Sequence, residues 1–123
     1  MSSIFDIFRR SLKTGLVTTG YPEAPEPAPP GFRGQVQIDT SRCMGHGDCA
    51  RACPSGAIAV RRDEDGGWTW ELNDARCVFC GLCAEACPES ALSLSNEYEL
   101  AVRDAADLIT RVRFTTGNGG KAS

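Results

Sequence analysis

The chain has 123 residues and a formal net charge of −3, and its basic residues are scattered along the sequence. This weak charge argues against a nucleic-acid-binding protein, because such proteins concentrate basic residues on one face. No apolar run reaches the length of a transmembrane helix, and the chain length suits one domain with short extensions.

Residues 1–20 are the first predicted segment, with an amphipathic helix over residues 3–19. Apolar side chains recur at every fourth position: Ile4, Phe8, Leu12 and Leu16. The basic residues Arg9, Arg10 and Lys13 fall largely off that side. A basic amphipathic helix is typical of a segment that lies on a membrane surface or packs on a neighbouring subunit.

Residues 21–34 form a linker that contains five prolines. Proline fixes φ and lacks an N–H donor, so this composition favours an extended spacer over a packed element. We therefore predict a stiff linker between the helix and the cysteine-containing region, suited to a segment that runs along another protein.

Residues 35–96 contain an internal repeat at an offset of 34 positions. The paired positions are Cys43 and Cys77, His46 and Cys80, Cys49 and Cys83, and Cys53 and Cys87. Each half predicts a strand, a ligand loop, a short helix and a second strand. An Asp-Gly-Gly turn signal separates the strands at residues 57–60 and 68–72, so the halves are predicted to meet in a hairpin.

Residues 97–123 form a C-terminal extension. After a short connector, the sequence predicts a helix from about Ala105 to Val112. Its apolar side consists of Leu108, Ile109 and Val112. Residues 115–123 are predicted to be disordered, because they are mostly glycine and polar residues.

The second half contains the run Cys77-x2-Cys80-x2-Cys83-x3-Cys87-Pro88. In this bacterial-type ferredoxin spacing, the first three cysteines hold one 4Fe-4S cluster and the fourth reaches across to another. A zinc site is the alternative, although zinc does not need a third cysteine and a Cys-Pro at these spacings. A disulfide framework is disfavoured by the odd count of seven clustered cysteines. Reduced thiolates imply a compartment on the cytoplasmic side.

The first half departs from this spacing at one position, where the chain's only histidine replaces the second cysteine. If the fourth cysteine of each run binds the other cluster, cluster I is assigned Cys43, His46, Cys49 and Cys87, and cluster II is assigned Cys77, Cys80, Cys83 and Cys53. Imidazole is a competent iron ligand. Two alternatives stay open: a 3Fe-4S cluster I with His46 as a bystander, or ligation by Asp48. Because a neutral imidazole would replace an anionic thiolate, cluster I is expected to have the higher reduction potential.

Residues 36–114 resemble the two-cluster ferredoxin subunit of formate hydrogenlyase and related membrane-bound group 4 nickel–iron hydrogenases. The run CVFCGLCAEACP is shared with the related complex I (NADH-quinone oxidoreductase) subunit that carries two tetranuclear clusters. The segments WTWEL and LSNEYELAV and the later pair Arg113–Phe114 resemble the hydrogenlyase branch in particular. The start IFDIFRRSLKTGLVTTGYP resembles both branches, in which this segment runs over membrane-arm subunits.

The ligand runs and this resemblance imply an α+β fold, a bacterial dicluster ferredoxin-like pseudo-two-fold βαβ repeat with an N-terminal amphipathic helix and an extended C-terminal segment. The resemblance implies a non-catalytic electron relay, peripheral on the inner face of the cell membrane through a complex. Its implied partners are hydrogenase-like or quinone oxidoreductase subunits carrying the next cluster, and membrane-arm subunits, with no small-molecule substrate and no nucleic acid. A complex I-type relay subunit and a free-standing diffusible ferredoxin are the alternatives. No constellation of acid, base and nucleophile is left over for independent catalysis.

Overall fold

The structure is a computed structural model that describes residues 3–116. The predicted disordered tail, residues 115–123, lies outside the described residues from position 117 onward. The elements, in chain order, are α1 (Ile4–Thr14), β1 (Val36–Ile38), α2 (Asp48–Ala52), β2 (Ile58–Arg62), β3 (Trp68–Asn73), α3 (Leu82–Ala86), β4 (Leu92–Leu94), a 3-10 helix (Ala105–Leu108) and β5 (Ile109–Phe114). Helices and antiparallel sheets together make this an α+β fold, as predicted from the sequence.

The two halves of the repeat pair with each other rather than with themselves. Strand β1 of the first half lies antiparallel to β4 of the second, and β2 of the first lies antiparallel to β3 of the second. The short helices α2 and α3 begin at positions 34 residues apart and contact each other. Each ligand loop is therefore close to elements of both halves.

The predicted hairpin between the halves is confirmed. Strands β2 and β3 pair from Ile58 opposite Leu72 to Arg62 opposite Trp68. The turn is closed by the Asp63 N–H, which donates to the Gly67 carbonyl at 2.8 Å. Alternating positions of β3 are buried, with Trp70 at 1% and Leu72 at 0% exposure, so one face of the hairpin covers the core.

The predicted helix over residues 105–112 is wrong. The chain makes a 3-10 helix only as far as Leu108, and residues 109–114 form β5 on the free edge of β3. The apolar positions fitted one face of a helix, but Ile109, Thr110 and Val112 are β-branched and favour strands. Pairing with β3 satisfies its edge N–H and C=O groups and buries Phe114, so the tertiary contact decides the outcome.

Helix α1 is shorter than the predicted residues 3–19. It ends at Thr14, because Gly15 takes a φ of 63° that does not continue a right-handed helix. None of its residues is buried, and its apolar side chains are exposed, for example Phe5 at 78% and Phe8 at 64%. Within the described residues, no helix combines the length and the apolar character needed to cross a membrane.

The proline-rich segment runs along the connector that follows β4. The Tyr98 hydroxyl donates to the Glu26 carbonyl at 2.6 Å, and the Tyr21 hydroxyl donates to Glu99 at 2.5 Å. The Gly34 N–H donates to the Ser95 carbonyl at 2.9 Å. These contacts tie the linker to the C-terminal side of the domain.

Candidate metal centre

The four residues predicted to hold cluster II line one cavity. Three come from the second run and one from the first: Cys77, Cys80, Cys83 and Cys53. The remaining lining is mostly apolar and includes Val36, Ile58 and Phe79. The cavity therefore brings together four sulfur donors that are spread over 31 positions of the sequence (53 to 83) in a mostly apolar setting.

The four residues predicted to hold cluster I line a second cavity. They are Cys43, His46, Cys49 and Cys87, again three from one run and one from the other. Val60 of β2 contributes an apolar wall, and Asp48 and Glu89 also line the cavity. The exchange of the fourth donor between halves follows from the pairing of the halves, because α2 and α3 lie side by side.

Backbone N–H groups point at the cysteine sulfurs in the same pattern in both halves. The Ala57 N–H donates to Cys53 Sγ at 3.2 Å, and 34 residues on the Ala91 N–H donates to Cys87 Sγ at 3.4 Å. At another pair of equivalent positions, the Phe79 N–H donates to Cys77 Sγ at 3.4 Å, and the Gly45 backbone N–H opposes the rise that burial causes in the pKa of Cys43. N–H donors to ligand sulfurs stabilise their negative charge, which is what iron-bound thiolates need.

The loop conformation that aims these donors is left-handed in both halves. Gly45 has φ 74°, and its counterpart Phe79 has φ 55°. A side chain is uncommon in this region, so Phe79 is held there by its surroundings, whereas Gly45 adopts it without steric cost.

Burial controls the proton affinity of most of the thiols. Burial raises the pKa of Cys49 to about 11, and it also raises the pKa of Cys43, Cys77 and Cys83 above the usual value. Cys53 differs: burial raises its pKa, but hydrogen bonds involving Ser55 and Ala57 outweigh burial and leave its pKa below the usual value. Since metals bind the thiolate, loading of these sites releases protons.

The charged groups around His46 help to decide which side chain can be the fourth donor of the first cluster's ligand set. The Asp48 carboxylate is paired through one oxygen with the Arg51 guanidinium, which holds it away from a role as an additional donor. The Glu89 carboxylate lies 4.0 Å from His46 Nε2. Metal-bound histidines commonly give their second ring N–H to such a carboxylate.

The donor chemistry fits iron–sulfur clusters. Within residues 3–116, no three His, Cys, Asp or Glu side chains lie close enough together to share a single metal ion. The donors of each set instead surround a cavity, as expected for ligands of a group with several metal atoms. All seven cysteines are free thiols, as this role requires.

Two kinds of group at the centre were missed by reasoning from the sequence. The backbone donors have no residue-type signature, because any non-proline residue supplies an N–H. The second is the role of Trp70, which belongs to the same buried cluster as Cys49 of the first cavity. The offset of 34 positions pairs Trp70 with Val36 and so marks it as a difference between the halves, but it does not show which ligand the indole lies near.

A glycine substitution tests whether the first loop needs its left-handed conformation. At Gly45 an added Cβ would lie 2.7 Å from ring carbons of Trp68, whereas at Gly56, with φ 64°, it would meet nothing within 4 Å. At both positions the positive φ disfavours a residue with a side chain, but only at position 45 would the added side chain also collide with a neighbour. We expect Gly45→Ala to bind clearly less iron per chain than Gly56→Ala after anaerobic purification. Equal iron contents would contradict this account of the loop.

Comparison with known proteins gives one matching domain and several relatives. A family model described as a 4Fe-4S dicluster domain matches residues 42–91. The chain is 45% identical to formate hydrogenlyase subunit 6 of Escherichia coli (strain K12) over 94% of its own length and 64% of that protein. It is 41% identical to NADH-quinone oxidoreductase subunit I of Carboxydothermus hydrogenoformans (strain ATCC BAA-161 / DSM 6008 / Z-2901), over 85% of this chain and 81% of that protein. The chain thus spans less than two thirds of the first relative.

A solved structure with a similar fold comes from a respiratory complex. The chain resembles part of the membrane-bound sulfane sulfur reductase, an archaeal respiratory membrane complex, with a TM-score of 0.61 and 25% identity. The similarity covers 84% of this chain and 57% of that one.

Proposed function

Because this chain belongs to the family of iron–sulfur subunits that includes NADH-quinone oxidoreductase subunit I and formate hydrogenlyase subunit 6, we propose that it transfers electrons through two 4Fe-4S clusters as a relay subunit of a membrane-associated complex. The observation that carries the proposal is the pair of cavities. Each is lined by four donors, three from one ligand run and one from the other.

The protein's own residues would hold, insulate and tune the redox groups. When bound, a 4Fe-4S cluster accepts and returns one electron. Cys77, Cys80, Cys83 and Cys53 would hold cluster II, and Cys43, His46, Cys49 and Cys87 would hold cluster I. The backbone donors stabilise the sulfurs, and apolar walls such as Val36 and Val60 exclude water. The matching element order of the halves gives the domain its pseudo-two-fold character.

His46 is the ligand that distinguishes the two sites. Its place in the cavity lining and the neighbouring Glu89 carboxylate support ligation by a histidine ring nitrogen. Engagement of Asp48 by Arg51 favours His46 over Asp48 as the fourth donor. The charge argument then gives cluster I the higher potential, which would make it the electron acceptor of the pair.

The segments outside the cluster-binding core would attach the chain to its partners. The exposed apolar side chains of α1 need a cover, which a partner subunit or a membrane surface provides. The proposed partners are the hydrogenase-like or quinone oxidoreductase subunit that carries the next cluster, and membrane-arm subunits. This attachment would keep the chain peripheral on the inner face of the cell membrane.

A complex I-type relay subunit is the second candidate, favoured by the 81% coverage of NADH-quinone oxidoreductase subunit I. The hydrogenlyase-type assignment stands first because that similarity includes 94% of this chain. The two candidates share the chemistry and differ in electron donor and acceptor. A diffusible ferredoxin would not need the exposed apolar side of α1.

Metal analysis and low-temperature EPR of the anaerobically purified chain test the proposal. Two 4Fe-4S clusters predict about eight irons per chain, a nearly silent oxidised spectrum and two reducible centres after dithionite. About seven irons and a strong signal in the oxidised state would identify a 3Fe-4S cluster, and His46 would not be a ligand. A colourless chain containing zinc would refute the electron-transfer function.

A further inference from the structure

Trp70 carries a polar group that the structure buries without satisfying. The side chain is 1% exposed, and Nε1 has no hydrogen-bond partner in the described part of the chain. A buried donor left unpaired costs about 1–3 kcal/mol. The indole N–H is therefore expected to have an acceptor in the functional state of the protein.

The position of Trp70 in the sheet directs it toward the first cavity. Trp70 lies opposite Val60 in the β2–β3 pair, and cross-strand partners project to the same face. Val60 lines the cavity that holds Cys43, Cys49 and Cys87. Trp70 and Cys49 also belong to the same buried cluster of side chains.

The sulfur of Cys49 is the acceptor that the positions of these residues favour. Of the three cysteines that line the first cavity, only Cys49 belongs to the buried cluster that contains Trp70. A neutral thiol is a weak hydrogen-bond acceptor. A metal-bound thiolate keeps negative charge on sulfur and accepts more strongly.

We propose that, in the loaded protein, Trp70 donates an N–H···S hydrogen bond from Nε1 to Cys49 Sγ and thereby raises the reduction potential of cluster I relative to cluster II. Reduction adds one electron to the cluster and its ligand sulfurs, so a donor to such a sulfur stabilises the reduced form more than the oxidised form. No proton is transferred. The inference rests on the proposed function, since it requires Cys49 to be a ligand of cluster I.

The repeat supplies an internal comparison. The residue equivalent to Trp70 is Val36, 34 positions earlier, and it lines the second cavity. Valine has no donor, so cluster II lacks this hydrogen bond. Trp70 and His46 would thus both raise the reduction potential of cluster I. Each stands at a position where the two halves of the repeat differ.

The test is Trp70→Phe in the full chain, purified anaerobically and titrated electrochemically with EPR detection of both clusters. At a fixed solution potential, we expect the ratio of reduced to oxidised cluster I to fall about three- to tenfold, which for one electron is about 30 to 60 mV. The reduction potential of cluster II should not change. Pulsed electron–nuclear double resonance should show an exchangeable proton coupled to cluster I, lost on transfer to D2O and missing in Trp70→Phe.

Two further variants separate the hydrogen bond from packing. Trp68→Phe removes the same ring volume from the same strand, and Trp68 packs beside Gly45 of the first ligand loop, so it measures the effect of a lost indole near that loop while the Trp70 N–H stays in place. It should keep the exchangeable proton coupling and shift cluster I less. Benzothienylalanine at position 70 replaces N–H by sulfur and keeps the ring shape, so it should reproduce the Trp70→Phe shift with a native core.

An unchanged cluster I potential in an iron-loaded benzothienylalanine variant would overturn the proposal and leave the electron-transfer function standing. Equal shifts of both clusters would also overturn it, because the proposed hydrogen bond acts on a ligand of cluster I alone. If the unmodified chain binds no iron, the proposed function and this inference both fail.

Discussion

Replacing Cys87 by alanine is expected to abolish the cluster of the first ligand run, although Cys87 belongs to the second run. Cys87 lines the cavity with Cys43, His46 and Cys49 and is absent from the lining of the other cavity. Loss of one ligand should leave one cluster in place, so iron should fall from about eight to about four atoms per chain.

Matched variants decide whether the ligands cross. Cys87→Ala should give the same EPR spectrum as Cys49→Ala, and Cys53→Ala should give the same spectrum as Cys83→Ala. The paired variants lie in different runs, so agreement in the spectra cannot arise from damage to one loop. If Cys87→Ala instead matched Cys83→Ala, each run would hold its own cluster and the crossed assignment would be wrong.

Replacing His46 by cysteine is expected to lower the potential of cluster I by on the order of 100 mV or more, because an anionic thiolate replaces a neutral imidazole. Iron content should stay the same. The potential is measured by EPR-monitored redox titration, in which cluster II provides the internal reference. The nitrogen hyperfine coupling of an imidazole ligand should be present in the unmodified chain and disappear in His46→Cys.

Two companion variants address the alternatives for the fourth ligand. Asp48→Asn removes the carboxylate and should leave the cluster I potential and nitrogen coupling almost unchanged, since Asp48 is already paired with Arg51. His46→Ala removes the imidazole and, like Cys87→Ala, removes one ligand of cluster I, so cluster I should be lost and iron should fall to about four atoms per chain. A cluster I that is insensitive to His46→Ala but changed by Asp48→Asn would identify an oxygen ligand instead.

The candidate ligand residues, and the direction in which His46 would shift the potential of cluster I, can be predicted from sequence because both depend on residue types at short spacing. Two-residue spacers between donors allow a tight loop in which Cys77, Cys80 and Cys83 can reach one cluster, and this spacing is typical of cluster ligands. His46 is identified as a candidate ligand in the same way, because it occupies the position in the repeat that is equivalent to Cys80. Its ligation stays a prediction.

The region after Leu94 shows where local reasoning fails. Leu108, Ile109 and Val112 suit one face of a helix, and they also suit a strand that alternates between two faces. The choice depends on whether a sheet edge is available, and β3 provides one. Ion pairs such as Arg111 with Glu71, at 2.6 Å, join residues 40 positions apart and leave no local trace in the sequence.

The sequence by itself determined the iron–sulfur chemistry, the two halves and the hairpin between them, because each depends on residue identity at short spacing. Only the tertiary structure decided that residues 109–114 form a strand, which backbone N–H groups face which sulfurs, and that Trp70 and Cys49 share one buried cluster. The physical reason is that these contacts are made between segments distant in the chain. Their energies depend on burial and edge pairing, which no local pattern of residues specifies.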